Sequence, residues 1–234
     1  MSPASRSDGA MFANILEKIA GDVALAFSYQ AEDVVVLHLL KTFVTRPVEI
    51  FTLDTQKLFP ETAAYHATVE RFFNVRIHAR VPDAGATRQL EADLGQWGMR
   101  HSLANRHRCC KIRKVDPLES ALVGKNAWIT GLRAAQSVTR SDLCLLEYDT
   151  THRIIKVNPL ADWSEQEVFD HAARHRLPLH PLYGEGFRSI GCAPCTRAVG
   201  PDEDIRAGRW WWENPEHKEC GLHLRPSPLP RGDK

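Results

Sequence analysis

The chain lacks any apolar run long enough to cross a bilayer. Its longest, from Asp33 to Leu40, is broken by polar residues well short of the roughly 18 needed. Net charge is also nearly absent: 30 basic residues stand against 29 acidic ones, so no global field draws in a polyanion, and any anion site must be local. The N-terminus, MSPASRSDGA, has neither the apolar stretch nor the cleavage pattern of a secretory signal, which predicts a frayed start and a cytoplasmic protein. Outside an oxidising compartment the six cysteines read as metal ligands or reactive thiols rather than staples. Internal repeats, low-complexity blocks and a composition break are missing too. The expectation is one domain over residues 1–225, with a flexible, proline-rich tail over 226–234. A hydrophobic share of 43% in 234 residues suffices for one continuous core.

What is present is an alternation of short apolar runs and helical patterns. Asp22–Tyr29 reads as a buried strand followed by a helix over Glu32–Thr42, then Val48–Leu53 as a strand and a helix opened by Pro60 and running to Phe73. Val75–Ala79 and Trp128–Leu132 read as further strands, and Thr87–Gly95 as a helix. Asp142–Tyr148 pairs with Arg153–Val157, and Ser164 with Glu167 forms a capping box that starts a helix over Glu165–His175. The pattern indicates an α/β fold, a parallel sheet with helices on both faces. Gln96–Arg106 has no clear period and reads as an active-site loop.

Four cysteines form a constellation. Cys192 and Cys195 make a C-x-x-C in a turn bent by Gly191 and Pro194, and Cys109 and Cys110 are adjacent far upstream. Adjacent side chains on a helix diverge by about 100°, which suits an extended polynuclear centre better than one tetrahedral ion, although four-cysteine sites hold both zinc and iron–sulfur clusters. Arg106, Arg108, Lys111, Arg113 and Lys114 surround the pair and favour a negatively charged centre; on a helix, Lys114 lies one turn beyond Cys110. Without interleaved aromatics or net positive charge, this basic run does not read as a nucleic-acid site.

At the end of the first strand, Ser28-Tyr29-Gln30-Ala31-Glu32-Asp33 occupies the position where a helix N-terminus receives an anion, and Ser28 also fits a helix cap. No glycine-rich phosphate loop is present. Arg133, Arg140, Arg206 and Arg209 are later cations that could serve an anionic ligand, with surface arginine the alternative. Cys220, in a polar segment beside His217, Lys218 and Gly221, reads as a reactive thiol, whereas Cys144, within Leu143–Leu146, reads as a buried small hydrophobe.

Taken in order, SYQAED, LDT, LFPET, CC, TGLR, GCAPC and ECGLH closely resemble the adenylyl-sulfate (APS) reductases of assimilatory sulfate reduction, the iron–sulfur-containing branch of the phosphoadenylyl-sulfate reductase family. The resemblance runs from about Ala24 to His223. It implies an adenine-nucleotide alpha-hydrolase-like fold, related to the PP-loop ATP pyrophosphatases, and a [4Fe–4S] cluster on Cys109, Cys110, Cys192 and Cys195. It also implies Cys220 as nucleophile, Lys114 between cluster and substrate, and Ser28, Arg140, Arg206 and Arg209 around the phosphosulfate. The implied partners are adenosine 5′-phosphosulfate and thioredoxin or a similar dithiol protein, with no nucleic acid and no membrane. Gln56 departs from the family, standing where a glycine often follows LDT. The rivals are a reductase of the 3′-phosphorylated nucleotide, an ATP-dependent sulfurtransferase of the same fold and a zinc-stabilised binding module.

Overall fold

The apolar run that starts at Val23 becomes the middle of a sheet. A computed structural model describes residues 3–136, 140, 142–214, 218 and 221–222, and of residues 3–8 the backbone. Strand β1 (Val23–Ala26) lies between β2 (Glu49–Leu53) and β4 (Ala127–Ile129). Outside β2 lies β3 (His78–Arg80); outside β4 lie β6 (Ile154–Val157) and then β5 (Leu146–Asp149). All pairings are parallel except that of the edge strand β5 with β6. Leu25 stands opposite both Ile50 and Ile129, so one buried apolar row crosses the three central strands.

Successive strand residues face opposite sides, and both sides are covered. Leu25, Ile50, Ile129 and Val157 pack with α1 (Pro3–Lys18), α2 (Ala31–Phe43), α3 (Pro60–Phe73) and α7 (Glu165–Arg174). Ala24, Phe51 and Trp128 pack with Leu118, Ala121 and Leu122 of α6 (Asp116–Leu122). Each fully buried aliphatic side chain contributes roughly 1.5–3 kcal/mol. Helix α2 is buried from Val34 to Leu37 without a break because α1, α3 and α7 close around it on the sheet. The expected capping box starts α7: the Ser164 hydroxyl accepts from the Glu167 amide, and Glu167 accepts from the Ser164 amide.

Three expectations need correction. The N-terminus is helical from Pro3 rather than frayed, because Phe12 and Leu16 bury against α2. Cys144 is exposed. In the approach to the edge strand, Leu143 and Leu145 turn inward, so the period of two sends Cys144 and Leu146 to solvent. Beyond α4 (Ala84–Leu94), the segment read as a loop over Gln96–Arg106 contains a 3₁₀ turn, Gly98–Arg100, and the start of α5 (Leu103–Cys110).

From β1 the chain passes to β2 on one side, whereas β4 pairs on the other. Such a reversal of strand order opens a crevice at the carboxyl ends of the strands. Ser28 follows β1 and Gly131 follows β4, on the two sides of that crevice.

Candidate active site

The crevice is a cleft of about 1340 Å³, open mouth included, and Ser28, Lys114, Arg140, Arg206 and Arg209 all line it. Ser28 does not cap α2: Gln30 is the N-cap residue, without a side-chain cap bond. Instead the Ser28 amide and hydroxyl both donate to Asp33 Oδ2, at 2.6 and 2.5 Å. The Gly131 amide also donates to this carboxyl, and a Cβ at Gly131 would collide with it. Burial pushes Asp33 up to about 7, against the pull of the Ser28 and Gly131 donors.

A carboxyl whose folded pKa is raised contributes stability that is complete below about pH 4 and is lost as pH rises to about 7. Asp33→Asn cannot ionise, so its stability relative to the wild type is expected to rise from pH 4 to 8. Anaerobic urea unfolding across that range checks the slope.

The cations divide into two groups. Arg133 is committed to structure: it is buried and donates twice to Glu32 Oε1, at 2.8 and 3.0 Å. Arg140 is tied to the same network through Gln136, which accepts from its Nη1 at 2.7 Å and donates to Glu32 at 2.9 Å. Arg209 is buried, stacks at 4.6 Å over Trp210 and donates to the Ile190 carbonyl. Arg206 donates to the carbonyl of Lys218 at 2.8 Å and so holds that later segment at the cleft. Leu222 lines the same cleft and packs against the α6 face of the sheet. Cys220 itself lies outside the described residues, between these two anchors in sequence.

The four cysteines line one smaller cavity together with Met99, Lys114, Arg209 and Trp210. A π-helical turn, Lys111–Val115, joins α5 to α6, and the wider turn brings Cys109, Cys110, Arg113 and Lys114 to that cavity. Cys192 and Cys195 enter from a 3₁₀ turn, Ala193–Cys195, whose Ala193 amide is bound by the Lys57 carbonyl at 2.8 Å. Thr55, at the end of LDT, has its hydroxyl 3.2 Å from Cys192 Sγ, and its carbonyl accepts from Arg113. The adjacent Gln56 has φ 58, a conformation that a glycine adopts without strain.

All four thiols are free of disulfides. Burial raises Cys109 and pushes Cys195 up to about 12, with Cys192 adding to both shifts. Buried thiols with this mutual repulsion suit a cationic centre that takes them as thiolates. Arg209 Nε and Trp210 Nε1, at the cavity wall, are buried and have no hydrogen-bond acceptor among the described residues, as a site for an anionic, sulfur-rich group would leave them.

Arg106 is a residue whose part the sequence did not reveal. Fully buried, it pairs with Glu213 at 2.7 Å and, like Arg209, stacks on Trp210, linking the cysteine helix to the Arg209 segment. Arg106→Ala leaves the Glu213 carboxylate buried and uncompensated, at a cost of about 3–5 kcal/mol. A fall in Tm of roughly 10 °C is expected in anaerobic thermal denaturation.

A family model described as the phosphoadenosine phosphosulfate reductase domain matches residues 22–198. The chain is similar to the adenosine 5′-phosphosulfate reductase of Allochromatium vinosum, 48% identical over 203 residues that make up 87% of this chain and 79% of that one. Among solved structures it is similar to phosphoadenylyl-sulfate reductase from Candida auris, with a TM-score of 0.67, 23% identity and coverage of 82% of this chain and 90% of that one. Yeast FAD synthetase aligns with a TM-score of 0.56 at 12% identity, covering 83% and 67% respectively. These two likenesses show the fold alone.

Proposed function

The chain belongs to the phosphoadenosine phosphosulfate reductase family, and we propose that it reduces adenosine 5′-phosphosulfate to sulfite and AMP in sulfate assimilation, through an S-sulfocysteine on Cys220. The observation that carries the reading is a shared wall: Lys114, Cys192 and Arg209 line both the cationic cleft and the four-cysteine cavity. An anion in the cleft therefore sits beside the cysteine centre, with Lys114 and Arg209 between them.

The phosphosulfate lies along Ser28, Lys114, Arg140, Arg206 and Arg209, whose charge neutralises the sulfate and the departing phosphate. The Cys220 thiolate attacks the sulfur; an S–S bond forms, the S–O bond to the phosphate breaks, and AMP leaves with the electron pair. A thiolate of thioredoxin or a similar dithiol then attacks Cys220 Sγ and expels sulfite. Its second thiol resolves the mixed disulfide, so the dithiol is oxidised by two electrons and Cys220 returns as a thiol. Cys109, Cys110, Cys192 and Cys195 would hold a [4Fe–4S] cluster, which when bound supplies a compact anionic charge behind Lys114. Arg113 and Arg209 offset the charge of the thiolates.

Anaerobically purified protein should contain four irons and about four sulfides per chain. It should turn over the 5′-phosphosulfate faster than its 3′-phosphorylated form, with sulfite appearing and no ATP consumed. Stoichiometric zinc without sulfide would overturn the cluster assignment. A rate preference for the 3′-phosphorylated nucleotide would overturn the substrate assignment.

A further inference from the structure

The function proposed above makes no use of a group of histidines on the helical face of the sheet. His38, on α2, meets His171 and His175, which are four residues apart at the end of α7. One ring nitrogen from each lies within 4.8 Å of the other two. His38 Nδ1 and His171 Nε2 are 3.0 Å apart, and the His175 ring centre is 4.4 Å from that of His38 and 4.5 Å from that of His171. Three nitrogens around an ion bound at about 2.0–2.1 Å need to be about 3.4 Å apart, so small ring rotations complete the set.

A second observation also points to a ligand. His171 is 2% exposed, yet among the described residues its Nδ1 has no hydrogen-bond partner, and the same holds for the buried Nε2 of His175. A protein interior rarely leaves such atoms unpaired. The packing explains why the rings do not settle the matter among themselves. Three imidazoles brought together carry at most one hydrogen bond between His38 and His171, and Arg174 disfavours added positive charge at His171 and His175. Burial lowers His38 and His171 to about 4, which leaves the rings neutral, the form in which imidazole binds a metal.

We infer that His38, His171 and His175 form a binding site for one divalent first-row transition ion, of which Zn²⁺ is the probe, with a fourth position left for water. Three imidazoles suit zinc, and a two-residue contribution spaced i, i+4 on one helix fixes two ligands on one face. The ion would tie α2 to α7. Both helices lead into the cleft: the N-terminus of α2 follows the Ser28 loop, and Glu165 and Phe169 of α7 line the cleft wall. The site is separate from the cysteine cavity and stands whether or not the proposed activity holds.

The test uses the full-length, cluster-loaded protein with one equivalent of Zn²⁺ and no added chelating thiol. X-ray absorption at the zinc edge is expected to give a first shell of nitrogen and oxygen at about 2.0 Å with imidazole outer-shell scattering and no sulfur near 2.3 Å. His38→Gln and His175→Gln, both at partly exposed positions, are each expected to weaken zinc binding by about 100-fold in calorimetric titration while keeping the iron content and sulfite formation of the wild type. Saturating zinc is expected to raise Tm by about 5 °C in the wild type and not in either variant. A first shell containing sulfur, no binding below millimolar zinc, or wild-type affinity in both variants would overturn the site.

Discussion

Cys220→Ser is expected to release no measurable sulfite, a loss of at least about 10⁴-fold, while retaining the iron and sulfide of the wild type. The reason is chemical. A serine hydroxyl stays protonated at neutral pH and is a far poorer nucleophile, and Cys192, the cysteine in the described cleft lining, is taken up by the cluster in the proposed reading. The described cysteines stand in the wall of the cysteine cavity, Cys110 and Cys195 buried and Cys109 and Cys192 partly so, apart from Cys144, which is exposed elsewhere. Wild-type protein given adenosine 5′-phosphosulfate without any thiol should form one equivalent of AMP and stop. Mass spectrometry of its digest should then find one added SO₃ on the peptide containing Cys220. Recovery of that adduct on Cys195 would transfer the nucleophile to the cysteine cavity and overturn the assignment. The local chain suits the proposed exchange: Arg206 holds the Lys218 carbonyl, Leu222 packs at the cleft, and Gly221 between them has φ 89, a conformation that side-chain-bearing residues rarely adopt. The retained cluster separates loss of the nucleophile from loss of the fold.

How much of this was legible in the sequence depended on whether the signal was local. The strand–helix alternation up to Phe73 was legible because each apolar run and each break lies within a dozen residues, and Pro60 and the Ser164–Glu167 pair mark helix starts by their own chemistry. Helix α1 was not, since residues 3–10 carry no apolar period and the burial of Phe12 and Leu16 is decided by α2. The same holds for α5 and its π-helical continuation, where a run of charges conceals a helix whose inner face is made of arginines and cysteines rather than aliphatics. Arg106 looks like solvated charge until Glu213 and Trp210 arrive from the far end of the chain. Cys144 fails for the opposite reason: its neighbours are apolar, but only every second one faces inward. Asp33 was visible within SYQAED, but its role depends on Gly131, which β4 delivers. The histidine set needed α2 and α7 to be packed together before its i, i+4 pair gained a third member.

Arg209 tests the shared wall most directly, and two substitutions approach it from opposite sides. Arg209→Lys keeps the positive charge but loses the planar fork and its stacking on Trp210, and a lysine cannot hold the same donors toward the cleft from a buried position. The donors are pre-organised for charge that develops on the transferred group, so kcat/KM for sulfite formation is expected to fall by about 10²–10³-fold. Gly191→Ala leaves Arg209 in the sequence and moves it in space. A Cβ at Gly191 would collide with the Arg209 guanidinium, the mobile end of the side chain, so that end must swing away while the backbone stays in place. An intermediate loss, about 10-fold or more, is expected for this variant. In both proteins the cysteines are untouched, and the iron content and visible absorbance should match the wild type. If kcat/KM is unchanged in both while the cluster is intact, Arg209 does not act on the phosphosulfate. If activity and iron fall together, its part is to neutralise the cysteine centre, and the catalytic role in the cleft passes to Lys114, Arg140 and Arg206.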